Sequence, residues 1–171
     1  RGYVRFLARR QAEAGADYLD LNVDEASNDV DGRVAAISWL VAAMEDATPA
    51  ALALDSSAPE VLQAGLTAAT RSAGPVLLNS ASLERLDVLD LAATEGCSVV
   101  LGASGENGMP ASAAERVANA TRIIEEATRR RMELKGQTAQ FLVLDDYAHH
   151  PTEVKAVLRA LHEAGKYVRV I

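Results

Sequence analysis

The run "YLDLNV", Tyr18 to Val23, decides how the chain is to be read. It is too short for a helix, it is dominated by apolar residues, and it ends on a polar side chain, Asn22, before the apolar pattern lapses. The same pattern recurs along the chain. "AALALD" spans Ala50 to Asp55, "PVLLNS" Pro75 to Ser80 and "CSVVLG" Cys97 to Gly102, and "FLVLDD" (Phe141 to Asp146) and "YVRVI" (Tyr167 to Ile171) follow. Short runs of this uniformity read as strands buried on both faces.

Between these runs lie longer segments of helical period. Val34, Ile37, Leu40, Val41 and Met44 share one stripe, and Val117, Ile123, Ile124 and Ala127 share another. The punctuation agrees with this. Ser112 followed by Glu115 has capping-box spacing, and Pro59 and Pro151 stand where a first helical turn accepts proline. Gly15, Gly74, Gly96 and Gly165 each separate a helical segment from the next strand, where a left-handed cap is needed. Regular alternation of this kind predicts an α/β protein with a parallel sheet, either open and doubly wound or closed into a barrel.

Composition narrows the function. Hydrophobic residues make up 49% of the 171 and aromatics only 4%, so the core is built from Ala, Val and Leu. A net charge of −7 argues against nucleic acid or an anionic membrane as partner, because both demand clustered Lys and Arg. The basic run Arg129 to Arg131 reads as a solvated helix end. The single cysteine, Cys97, leaves no internal disulfide and reads as a small buried hydrophobe. With no signal-peptide pattern and no apolar stretch of about 18 residues, a soluble cytoplasmic protein is the expectation. The chain opens without an initiator Met, as the middle of a longer gene product would.

Dinucleotide and P-loop signatures are missing. "LGASGENGMP" holds glycines without the G-x-G-x-x-G spacing, and no P-loop lysine follows any strand. The strands end instead in Asn22, Asp55, Asn79 and Asp145. Any one of these has an ordinary structural reading, since Asn and Asp stabilise turns and cap helices. A row of them at successive strand ends points to a ligand. Carboxylates accept paired N–H groups and amides match a mixed edge, which suits an uncharged heterocycle with adjacent N–H and C=O groups.

The residues also carry a family likeness. "ARRQAEAGADYLDLNVDE", "RVAAISWLVAAM", "LALDSSAPEVLQAGL", "VLLNSASLERLDVLDLAATEGCSVV" and "GMPASAAERVANATRIIEEA" together resemble the pterin-binding methyltransferases that move a methyl group from methyltetrahydrofolate to a corrinoid protein. The resemblance runs from about residue 7 to about residue 128. It implies a TIM-type (β/α)8 barrel, a role in one-carbon metabolism, a partner protein carrying cobalamin, and no metal in this domain. It further implies that Asp55, Asn79 and Asp145 hold the pterin and that Asn22 lines the same mouth. The chemistry implied is positioning of the N5-methyl group, assistance to protonation at N5, and in-line displacement by the cobalt(I) of the partner.

From about Arg129 onward the sequence is similar to a different family. "DDYAHHPTEV", Asp145 to Val154, resembles the start of the C-terminal domain of the Mur ligases, most closely the UDP-N-acetylmuramate:L-alanine ligase. That likeness implies a nucleotide beside Asp146, His149 and His150. The ligase needs a P-loop-bearing domain, however, and this chain has no such motif. Adjacent histidines are poor chelators, so a metal is not expected there. The chain is thus read as a pterin-binding portion, 1–128, followed by a further βα unit, 129–171, whose sequence is ligase-like. In that unit Phe141 to Asp145 is expected as a parallel strand beside Cys97 to Gly102.

Three departures from the methyltransferase pattern accompany the likeness. The first barrel strand would precede residue 1, the chain stops near the seventh strand, and the later "SN" asparagine has no counterpart. A partial barrel exposes strand edges, so a second copy, a partner or more chain is expected to complete it. The alternatives are a chimeric or structural α/β chain without activity and a fragment of an ATP-dependent Mur ligase.

Overall fold

A computed structural model describes residues 2–130, and the predicted elements beyond them, including the strand at Phe141 to Asp145, lie outside the described residues. Helices and strands alternate throughout. The order is α1 (Gly2–Glu13), β1 (Tyr18–Asn22), α2 (Val30–Glu45), β2 (Ala51–Asp55), α3 (Pro59–Ala68), β3 (Leu77–Ala81), α4 (Asp87–Glu95), β4 (Ser98–Leu101) and α5 (Ala113–Arg129). The four strands form a sheet in sequence order, β1-β2-β3-β4, with the parallel βα rhythm of a partial TIM-type barrel.

The chain divides into two compact units, the first made of residues up to Asn79 with Thr94–Ser98. In this unit β1 pairs with β2 from Tyr18↔Ala51 to Asn22↔Asp55, and β2 pairs with β3 from Ala53↔Leu77 to Asp55↔Asn79. Side chains alternate across a strand, so this register sorts them into two faces. Leu19, Leu21, Leu52, Leu54 and Leu78 fall on one face and are buried, together with Ile37, Val41 and Met44 of α2 and Val61, Leu62 and Leu66 of α3. Burial of each such side chain contributes about 1.5–3 kcal/mol, which is what fixes the two helices to the sheet.

The opposite face corrects one expectation. β1 alternates exposed and buried residues, with Tyr18, Asp20 and Asn22 exposed, rather than being buried on both faces. Its polar residues at every second position are the physical reason. Central β2 is buried at Leu52, Ala53 and Leu54, nearer to the reading from sequence.

Gly15 and Gly96 act as predicted at the ends of α1 and α4, whereas Gly74, with a φ of 124°, stands beyond the end of α3 in a turn where its N–H donates to Arg71 O, and Gly165 lies outside the described residues. Gly15 takes a φ of 94°, and a Schellman cap closes α1 there: Gly15 N donates to Ala12 O and Ala16 N to Gln11 O. Gly65 has a different reason. A Cβ there would stand 2.8 Å from Leu54 Cδ1 and 3.2 Å from Ile37 Cγ1, so glycine lets α3 lie close on β2 and α2. Cys97 is buried, and burial pushes its thiol pKa up, with the charge of Arg71 opposing the rise.

The second unit comprises 80–93 and 99–130 of the described residues. Its buried residues include Val88, Leu89 and Ala92 of α4 and Ala120 and Ile123 of α5. Ser112 caps α5 by accepting from Glu115 N, at 3.1 Å. The reciprocal bond of the box is displaced by one residue, since Glu115 Oε2 accepts from Ala111 N at 2.8 Å instead of from the cap residue. At the other end of α5 Arg129 is exposed as expected, Arg130 is less solvated than expected, and Arg131 lies outside the described residues. Arg130 pairs with Asp90 and Glu126 at 2.7 Å each, and these bonds hold its pKa above the ordinary arginine value. Among the described residues no helix is long and apolar enough to cross a membrane.

Candidate functional site

The strand register decides which polar side chains meet. Asn22, Asp55 and Asn79 occupy matching positions on β1, β2 and β3, so they stand side by side at the carboxyl ends of neighbouring parallel strands, about 4.8 Å apart from strand to strand. Each stands on the face opposite the leucine core. The three predicted residues that fall within the described part of the chain are therefore brought together. Asp145, and the alternative nucleotide residues Asp146, His149 and His150, lie outside the described residues.

A carboxylate between two amides is the result. Asn22 Nδ2 donates to Asp55 Oδ2 at 2.9 Å, and Asn22 Oδ1 accepts from Asp24 N at the same distance. Asp55 and Asn79 are half-buried and Asn22 is exposed, which leaves their polar atoms open to a ligand while the strands hold the backbone. Such a row can accept paired N–H groups at the carboxylate and both donate and accept at the amides.

Sequence reasoning missed Asp24. Its carboxylate accepts from Ser56 Oγ, from Ser57 N at 2.8 Å and from Ser57 Oγ at 2.8 Å, tying the loop after β1 to the loop after β2. Burial works to raise its pKa. The hydrogen bonds from Ser56 and Ser57, with the charge of Arg33, outweigh that and hold it below the ordinary value. An acidic residue two positions past a strand end was visible in the sequence, but its partners lie 32 and 33 residues away and only the parallel pairing brings them near.

A cavity of about 370 Å³ lies elsewhere in the first unit, lined by residues that include Glu45, Thr48, Ala51, Arg71 and Ser72 around the amino ends of β2 and β3. Its charged groups are already engaged. Arg71 donates to Glu95 O at 2.6 Å and to Glu95 Oε2 at 2.8 Å, and Glu45 accepts from Thr70 N at 2.9 Å. The converging groups at the strands' carboxyl ends, where ligands bind in βα folds, make the better candidate site.

This architecture and this row define the class: an α/β protein of the βα-barrel type with a polar cluster at the carboxyl edge of its sheet. Within that class the chain belongs to the pterin binding enzyme family, whose model matches residues 4–167. Shorter stretches are similar to the UDP-N-acetylmuramate–L-alanine ligases. The ligase of Kineococcus radiotolerans is 58% identical over 43 residues, covering 25% of this chain and 9% of that protein. That of Salinibacter ruber is 54% identical over 43 residues, with the same shares, and that of Clostridium kluyveri 64% over 33 residues, covering 19% and 7%. The chain thus spans less than a tenth of the length of these ligases.

Proposed function

We propose that this chain is a pterin-binding methyltransferase domain that takes the methyl group of methyltetrahydrofolate and delivers it to a corrinoid protein in the cytoplasm. The observation that carries the reading is the row Asn22, Asp55 and Asn79, in register at the ends of three adjacent strands. A pterin presents an amide and amino edge of alternating N–H and C=O groups, and a carboxylate flanked by amides is its complement. In this reading Asp55 accepts from the ring, Asn79 both donates and accepts, and Asp145 is a further acceptor. The cobalamin of the partner supplies the nucleophilic cobalt. This chain's own residues bind the pterin and hold the N5-methyl group in line, an entropic contribution. Further chain, a second copy or the corrinoid partner completes the barrel around them.

Calorimetric titration of methyltetrahydrofolate tests the assignment. Asp55→Ala and Asn79→Ala should each weaken binding by about 1–3 kcal/mol, the cost of leaving a buried partner unpaired. Unchanged affinity in both variants would remove the site.

The ligase-like stretch supports a second reading, a nucleotide-binding fragment of a Mur ligase with Asp146, His149 and His150 at the nucleotide. It predicts tight Mg-ATP binding that His149→Ala abolishes. We expect no appreciable ATP binding, since no phosphate-cradling loop occurs in the sequence. A chain that binds neither ligand would be the chimeric or structural α/β protein.

A further inference from the structure

We infer that Asn22 and Asp24 are positioning residues that fix the Asp55 carboxylate, one through its side chain and the other through the loop that follows it; the inference rests on the pterin reading of the site. Asn22 is oriented from behind. The Asp24 N–H can only donate, so the Asn22 amide turns its oxygen to that group, at 2.9 Å, and its nitrogen to Asp55 Oδ2. Among the described residues only Asn22 bonds to the Asp55 carboxylate, so the other oxygen, Oδ1, is the one presented to a ligand N–H. An unsupported aspartate samples several rotamers, and one whose oxygen is pinned has given up that freedom before the ligand arrives.

Asp24 fixes the backbone on the other side. Ser56 and Ser57 follow Asp55 directly, and both donate to the Asp24 carboxylate. Ser56 Oγ in turn accepts from Ala58 N at 3.1 Å. Ala58 is the N-cap of α3 and has no side-chain cap bond, so the Ser56 hydroxyl and the Asp24 carboxylate hold the turn into α3 where a capping side chain would otherwise do so. Three donors on one carboxylate leave little acceptor capacity for a ligand. Asp24 is therefore consumed inside the protein, and its effect on a bound pterin passes through Asp55. Its lowered pKa keeps it in the ionised, acceptor-only form across the neutral range.

The test uses the full chain with methyltetrahydrofolate as the probe, and side-chain amide hydrogen exchange of Asn22 as a readout that does not depend on binding. Asp24→Ala should bind about five- to tenfold more weakly, the worth of about one hydrogen bond, with cooperative melting retained and faster exchange at the Asn22 amide. Ser57→Ala, which removes one donor and keeps the carboxylate, should show a smaller loss in the same direction, and Ser57→Thr should restore wild-type affinity. If Asp24→Ala fails to fold, the two Ser57 variants decide. Equal affinity and unchanged Asn22 exchange in a folded Asp24→Ala protein would overturn the inference. If the wild type itself does not bind methyltetrahydrofolate, the pterin reading fails, and the amide exchange alone then upholds or rejects the positioning role.

Discussion

A carboxylate that accepts three hydrogen bonds from the next loop changes how the protein responds to acid. Asp24 has a folded-state pKa lowered below its ordinary 3.8: burial pushes upward, and the Ser56, Ser57 and Arg33 interactions push down harder. A depressed carboxylate contributes stability that is fully present above the unfolded value and is lost as pH falls through the folded one. The contribution of Asp24 should therefore be constant from neutrality to about pH 5 and fade below 3.8. Urea unfolding of the wild type and Asp24→Asn checks this. The variant should be less stable by about 1–2 kcal/mol at pH 7, and the gap should narrow as the pH drops below 3.8. A gap that widened in acid would contradict the assignment. At this scale the site was partly legible. Asn22, Asp55 and Asn79 could be picked out because each ends an apolar run, whereas Asp24 follows a valine in a loop and gains its meaning from Ser56 and Ser57 across the sheet.

Helices and strands here obey local rules except where packing overrides them. Alternation, capping and glycine placement located all the described elements, with small shifts such as β3 beginning at Leu77 where the apolar run begins at Pro75. Proline has no N–H to give a ladder, which accounts for the late start. Burial was harder to read. Val117 is 38% exposed because it lies six residues before Ile123, about 120° round the helix from it, while the buried face of α5 is Asn119, Ala120 and Ile123. Gly65 is the clearest case of packing over propensity. Ala is favoured over Gly inside a helix by about 1 kcal/mol, yet the added methyl would meet Leu54 at 2.8 Å, where Leu54 is fully buried. Gly65→Ala should therefore lower stability by about 1–3 kcal/mol, the usual cost of overpacking, measured as a fall in the denaturation midpoint. Ser112→Ala, which deletes the bond to Glu115 N, should cost about 1 kcal/mol in the same assay.

For the whole molecule, the family model matches residues 4–167, a longer span than the described residues. The tail, residues 129–171, carries both the sequence likeness to a ligase and the end of the family match. Asp145 provides the decisive variant. If the tail supplies the next strand to the site, Asp145→Ala should weaken methyltetrahydrofolate binding by about 1–3 kcal/mol, as Asp55→Ala does. An unchanged dissociation constant would detach the tail from the pterin. The order of the strands was legible because each βα unit repeats the last, while closure was not, since it depends on surfaces that no single run of residues encodes. One further property follows from the solitary, buried cysteine whose thiol is pushed up by burial. A shielded thiol with little thiolate reacts only when the surrounding structure opens. Cys97 is thus a built-in clock, needing no introduced label: the rate at which iodoacetamide consumes it counts how often that segment comes apart. Saturating pterin should slow the count only if the opening that frees the sulfur also scatters the row at the strand ends.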